Sequence, residues 1–308
     1  MTGKIYIDGK DAYLNYGIFI TTGGYKEVSC FPPMKAVQSI DWGEDDGVEP
    51  DLTDPKLDTK EVSITFAAHR AMLVGAFFEL ISDRAYHTFD LRAMGRVYKL
   101  RLVSETAFVA KPNLQTFTLR FANDFPFSDG YSYLSPQSGL VVESGYELDG
   151  RSFADYGVVI LQGSDAEILK SPAVKLNILQ NVSSRHGATY DGEVVKFKSK
   201  EVKLSCLMRA RTLTEFWRNY NALLFDLVRP DERTLYVDNT GYDYPCYYKS
   251  SNVTEFCPLG KIWFKFDITL VFTSFRIEDD EYLLASEDGE WIMTEDGEFT
   301  IDLQELMN

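Results

Sequence analysis

Few residues in this chain stand where their types and spacing could do covalent or metal chemistry. The three histidines, His69, His87 and His186, are far apart, and none belongs to a metal-capture or nucleophile-activating motif. Cys30, Cys206, Cys246 and Cys257 are scattered among apolar or β-type residues, with no close pair and no histidine at ligand spacing, which predicts reduced, buried thiols. Thr22-Gly23-Gly24-Tyr25 offers backbone amides to a phosphate, but the Lys-Ser/Thr of a phosphate loop does not follow. The 47 acidic residues could hide the carboxylate pair of a glycosidase, yet they gather in polar loops and towards the C-terminal end, where solvation accounts for them. Glu287-Asp288-Gly289-Glu290 and Glu295-Asp296-Gly297-Glu298 lack the alternating oxygen ligands of a calcium loop. No catalytic, cofactor-binding or metal-binding residue is assigned, and a protein that is not an enzyme and carries no cofactor is expected.

Charge narrows the partners. The net charge of −16 is uneven: residues 277 to 308 hold twelve acids and no Lys or Arg, so the first 276 residues carry 35 acids against 31 bases. A grip on nucleic acid needs a basic stripe to displace counterions, and none is present in the sequence. No stretch reaches the roughly 18 uninterrupted apolar residues of a membrane-spanning helix, and Met1 to Gly9 has no apolar signal-peptide core. An unexported protein without a membrane span is expected. The 18 Tyr and 4 Trp leave a carbohydrate-binding or adhesive β-protein as the alternative, since aromatic faces bind sugars as well as fill strand cores.

The elements that must position these residues come in two sets. Sliding the chain against itself by 140 residues aligns 16–66 with 156–206 without a gap and gives thirteen identities; composition alone predicts roughly three. Tyr16-Gly17 meets Tyr156-Gly157, Gly23 meets Gly163, Pro32 meets Pro172, Lys35 meets Lys175, Gly47 meets Gly187, and Lys60-Glu61-Val62 meets Lys200-Glu201-Val202. The match resumes at an offset of 146, pairing Thr88 with Thr234, Gly95 with Gly241, Tyr98 with Tyr244, Ser104 with Ser250 and Pro112 with Pro258. Shared Gly and Pro positions fix turns, and turns fix strand register, so the two sets describe one backbone plan.

Each set predicts strands around one helix. Val62, Ile64 and Phe66, and Val202, Leu204 and Cys206, alternate with polar residues at the period of a half-buried strand. Phe117, Leu119 and Phe121 close the first set, and Phe264 to Phe272 the second, in the same way. Leu73, Phe77, Leu80 and Ile81 share a helical face, as do Leu213, Phe216, Trp217, Tyr220, Leu224 and Leu227 after a Thr212 to Glu215 capping-box spacing. The predicted organisation is a first β module over 1–127, a Ser/Gly/Pro-rich linker over 128–145, a second β module over 146–276, and an acidic extension over 277–308 whose Asp-Gly dipeptides predict short hairpins. The polar loop Trp42 to Lys60 and its counterpart Ser183 to Lys200 are candidate contact arms.

The order of signals in each set resembles the N-terminal domain of phage distal tail proteins and, more distantly, tail-tube and baseplate-hub domains. Those signals are a strand, Tyr-Gly-Ile/Val, a Pro, a polar loop with a fixed Gly, the Lys-Glu-Val strand, a helix and further strands. Asp45-Asp46-Gly47 and Arg185-His186-Gly187 occupy the place of that family's Gly-Arg-Asp-Gly segment, without its first glycine. The resemblance implies a mainly β fold with some α: two tandem tail-tube-like split β-barrel modules, each with a flanking helix. It further implies a structural protein of a bacteriophage or prophage virion tail, assembled in the host cytoplasm into a ring around the DNA channel. The ring would be a trimer with pseudo-sixfold symmetry or a hexamer. Its partners would be other tail proteins and viral DNA that passes without specific binding.

Overall fold

Period-two alternation builds the long strands, and the fold is mainly β. A computed structural model describes residues 1–275 apart from 44, 70, 84, 112–113, 128–131, 142, 176–178, 181–182, 188 and 191–195. The acidic extension, Pro112, Asp191 and residues 128–131 and 142 of the proposed linker therefore lie outside the described residues.

The first half runs β1 (Ile5–Ile7), β2 (Lys10–Asp11), α1 (Ala12–Tyr16), β3 (Ile18–Ile20), a 3-10 turn (Lys26–Ser29), β4 (Ser39–Ile40), β5 (Glu49–Pro50), β6 (Lys60–Ala68), α2 (Ala71–Ile81), β7 (His87–Leu91), β8 (Arg96–Lys111) and β9 (Leu114–Asn123). The second runs β10 (Tyr146–Leu148), β11 (Arg151–Ser152), a 3-10 turn (Phe153–Tyr156), β12 (Val158–Ile160), α3 (Ser164–Leu169), β13 (Leu179–Gln180), β14 (Thr189–Tyr190), β15 (Lys200–Ala210), α4 (Leu213–Leu227), β16 (Arg233–Val237), β17 (Tyr242–Cys257) and β18 (Ile262–Phe272).

Each half forms one seven-stranded antiparallel sheet, ordered β2-β1-β7-β8-β9-β6-β3 and β11-β10-β16-β17-β18-β15-β12. The two orders are the same when strands are counted from the start of each half. Residues 1–275 nevertheless make one compact unit, because the sheets share a continuous apolar core.

Corresponding residues make corresponding bonds. Asp8-Gly9 and Asp149-Gly150 turn their hairpins with both residues at positive φ, and each Asp exchanges backbone and carboxylate bonds with the Thr of the neighbouring strand, Thr88 or Thr234. Gly17 and Gly157 close their helical turns in the left-handed region. The Lys60 ammonium donates to the Val28 and Cys30 carbonyls, and the Lys200 ammonium to Glu167, Ile168 and Lys170, so each caps the turn before its arm. Burial pulls both lysines down to about 8.

The structure amends four sequence expectations. Short helical turns at 12–16, 26–29, 153–156 and 164–169 join the one helix expected per module; they are too brief to show a hydrophobic period. The capping box of α4 forms on one side only as expected: Thr212 accepts from the Glu215 amide at 3.1 Å, while Glu215 reaches past Thr212 to the Arg211 amide at 3.0 Å. The described linker residues are tied down, since Gln137 and Ser135 bond to Asn219 and Arg218 of α4, and Tyr133 to Asp226. Finally, Cys206 and Cys246 are buried and Cys30 is half-buried, but Cys257 is exposed, because period-two alternation turns it outward once Phe256 points in.

Candidate assembly interface

Where the two halves meet, the residues of the first arm do what their types allow. β4 and β5 pair into a small hairpin, and the turn between them reaches the second half. Asp46 there accepts the Phe197 amide at 2.7 Å, Gly47 donates its own amide to the Phe197 carbonyl at 2.7 Å, and Val48 donates to the Thr273 carbonyl at 2.8 Å. Lys175 completes the lock: its ammonium donates to the Trp42 and Asp45 carbonyls at 2.7 and 2.8 Å and lies 2.5 Å from the Asp41 carboxylate. Only 5% of that side chain remains exposed. A buried ammonium needs such partners, because desolvation without them would cost several kcal/mol. Gly47 sits at φ +72° with a Cβ position 1.6 Å from the Thr273 carbonyl oxygen, so this approach excludes any side chain.

A second set of contacts is aromatic. Phe31, 3% exposed, stacks on Tyr220 with ring centroids 4.0 Å apart and meets Tyr248 and Phe266 edge-on. The hydroxyls of both tyrosines return to the first half, Tyr220 to the Ser29 carbonyl at 2.7 Å and Tyr248 to the Pro32 carbonyl at 2.9 Å. Burial raises both phenols well above their ordinary range, so they act as neutral donors. Phe31 and Met34 donate backbone amides to Ser251 Oγ and the Lys249 carbonyl, both at 2.9 Å. Trp217 donates to the Met94 carbonyl at 2.7 Å under the Arg96 guanidinium. The junction is therefore heterologous: different surfaces of the two halves meet.

The counterpart surfaces are open. Lys35, which aligns with Lys175, is exposed, and its ammonium makes no hydrogen bond or ion pair among the described residues. Gly187, which aligns with Gly47, has φ +79° and nothing within 4 Å of its Cβ position. Ser183 to Gly187 at the second arm's turn are exposed. Of the motif positions singled out above, Asp45-Asp46-Gly47 lies inside the junction and Arg185-His186-Gly187 outside it.

Among the described residues, the candidate histidines and cysteines form no metal-binding group. His87 is buried between Asp8 and Asp83, at 2.7 and 3.1 Å, as a clamp on the first hairpin. No group of His, Cys, Asp and Glu among the described residues is arranged to hold a metal ion, and no helix among them is long and apolar enough to cross a membrane. Phe31 and Tyr220 carried no sequence signal for the junction, since an aromatic stripe on a helix reads as core whichever half it serves.

No protein-family model matches the chain, and no curated protein is significantly similar to it. Among solved structures, a crystal structure of the SPP1 Dit protein is similar at 10% identity, over 87% of this chain and 98% of that one, with a TM-score of 0.28. That protein is described as a paradigm of the hub adsorption apparatus of phages infecting Gram-positive bacteria.

Proposed function

We propose that the chain is a non-enzymatic structural subunit that associates head to tail into a ring, and that the ring belongs to a phage or prophage tail. The observation that carries this reading is the junction itself. Two halves of like connectivity meet through unlike surfaces, leaving the Ser183 to Gly187 turn exposed on one half and Lys35 exposed on the other. Heterologous contacts repeat until a rotation closes them, and a subunit with two like modules closes with half as many chains as modules. The two modules arose by internal duplication, and a trimer with six modules is the expected assembly, with a hexamer of whole chains as its rival.

The tail assignment follows from the order of signals in each module, which resembles that of distal tail, tube and hub domains. A near-neutral body without a basic stripe suits a conduit that lets viral DNA pass without holding its phosphates. Negative-stain imaging of the purified full chain tests the reading: rings with a central hole are expected. A stable monomer that binds glycans on an array would replace it with the adhesive alternative.

A further inference from the structure

The open surfaces can be assigned residue by residue, because the junction inside the chain supplies a template. Resting on the ring reading above, we infer that the segment around Leu169, Val174 and the Gly187 turn of one copy docks on the face around Lys35, Val103 and Phe125 of a second copy. Strand registers fix the correspondence. Val62 and Val202 pair with Phe121 and Leu270, and those strands pair onward with Leu102 and Tyr248, so Val103 takes the place of Lys249. Both stand at register shifts beside a shared serine, Ser104 or Ser250. Lys60 pairs with Asn123 and Lys200 with Phe272, so Asp124 takes the place of Thr273, and Phe125 that of Ser274.

Inside the chain the Met34 amide donates to the Lys249 carbonyl. Between chains the Val174 amide donates to the Val103 carbonyl, the Gly187 turn approaches the Asp124 backbone, and Lys35 lies beside the Arg185 carbonyl as Lys175 lies beside that of Asp45.

Exposure supports this pairing independently. Of thirteen exposed large hydrophobic residues among those described, Leu169, Val174, Val103 and Phe125, at 54, 41, 41 and 39% exposed, lie on these two faces. At the filled junction their places are taken by Ser29, Met34, Lys249 and Ser274. The open pair is thus apolar at positions where the filled one is largely polar, as faces that meet only after folding need to be.

The aromatic anchor is not repeated: Phe31, Tyr220 and Tyr248 correspond to Ser171, Val74 and Leu102. Asn181, Arg185 and His186 stand where the first arm has Asp41, Asp45 and Asp46, so contact between copies has no lysine–carboxylate lock and depends more on its four apolar residues.

Chains carrying an added exposed cysteine test the pairing, each in a background where the exposed Cys257 is replaced by serine. Val103→Cys and Val174→Cys chains, mixed and mildly oxidised, should form a disulfide-linked pair that neither forms alone. A Met34→Cys/Lys249→Cys chain should cross-link within itself as the positive control. Val174→Asp, which would bury a carboxylate without a partner, should raise the concentration for half-assembly by about tenfold or more. Rings that form without the 103–174 cross-link, and that tolerate Val174→Asp, would overturn this pairing while leaving the ring reading intact. A protein that mass photometry finds only as monomer, with no cross-link, would overturn both.

Discussion

The two halves of the molecule share their wiring and differ in how they are fastened. In both, an Asp-Gly turn opens the sheet, a lysine caps the turn before the arm, and seven strands follow in one order. The first arm, however, is locked by Asp46, Gly47 and Lys175, while the second arm's Gly187 turn is open. The hairpin clamps differ as well: Asp8 is held by His87, whereas Asp149 is held by Arg233 at 2.7 Å with Arg229 beside it. Strand order tolerates many side chains provided the turns are kept. Fastening depends on a few particular ones, and those are where the halves have been free to differ.

Exchanging fastening residues between halves should break the comparison in graded steps. The largest effect is expected for Phe31→Ser, which gives the first half the residue of the second at position 171. Losing a buried ring stacked on Tyr220 should cost about 3–5 kcal/mol in urea unfolding. If the cost stays under about 1 kcal/mol, the aromatic anchor is not what joins the halves.

Next comes the pair Gly47→Ala and Gly187→Ala. Both pay about 1–2 kcal/mol for a side chain in the left-handed region, but only Gly47→Ala drives a methyl into the Thr273 carbonyl. It should lose about 2 kcal/mol more and expose the Val48 amide to hydrogen exchange. Equal losses in the monomer would mean that the first arm is not seated.

A smaller difference separates the helix caps. Asp11 accepts amides from Gly3, Tyr13 and Leu14, and Ser152 only that of Ala154, so Asp11→Ala should cost about 1–2 kcal/mol and Ser152→Ala about half as much.

The pH response should distinguish the hairpins most gently. Burial disfavours the His87 imidazolium, but its bonds to Asp8 and Asp83 outweigh that and raise its pKa above the ordinary value of 6.5. The charged clamp is therefore complete below pH 6.5 and is lost as pH rises through the raised value, whereas an arginine side chain does not deprotonate in proteins. Amides of β1 should exchange faster relative to those of β10 as pH rises through that window, after correction for intrinsic exchange. His87→Gln should abolish the trend.

Much of this was legible in the sequence. The constant offset from Tyr16 onward gave the equivalence of the halves because Gly17, Gly47 and Lys60 each meet a backbone requirement that repeats. The equivalence also extends back to Asp8 and Asp149, at an offset of 141, which lies outside an ungapped search at 140. The long loops stood out as arms, and one of them does make a contact. Which surface it touches was not legible, since Phe197, Thr273 and Lys175 come together only when the sheets pack. The exposure of Cys257 was hidden for a like reason: the register shift between Val253 and Glu255 changes which face later residues take.

The central claim is that unlike surfaces joined within the chain are joined again between chains. Averaged electron-microscopy images of the purified full chain, with particle mass measured on the same sample, test it most directly. Closed rings with a central hole are expected, with twice as many β modules around the rim as chains in the particle. Particles that remain monomers at micromolar concentration, or two-fold dimers with the same face meeting itself, would contradict it.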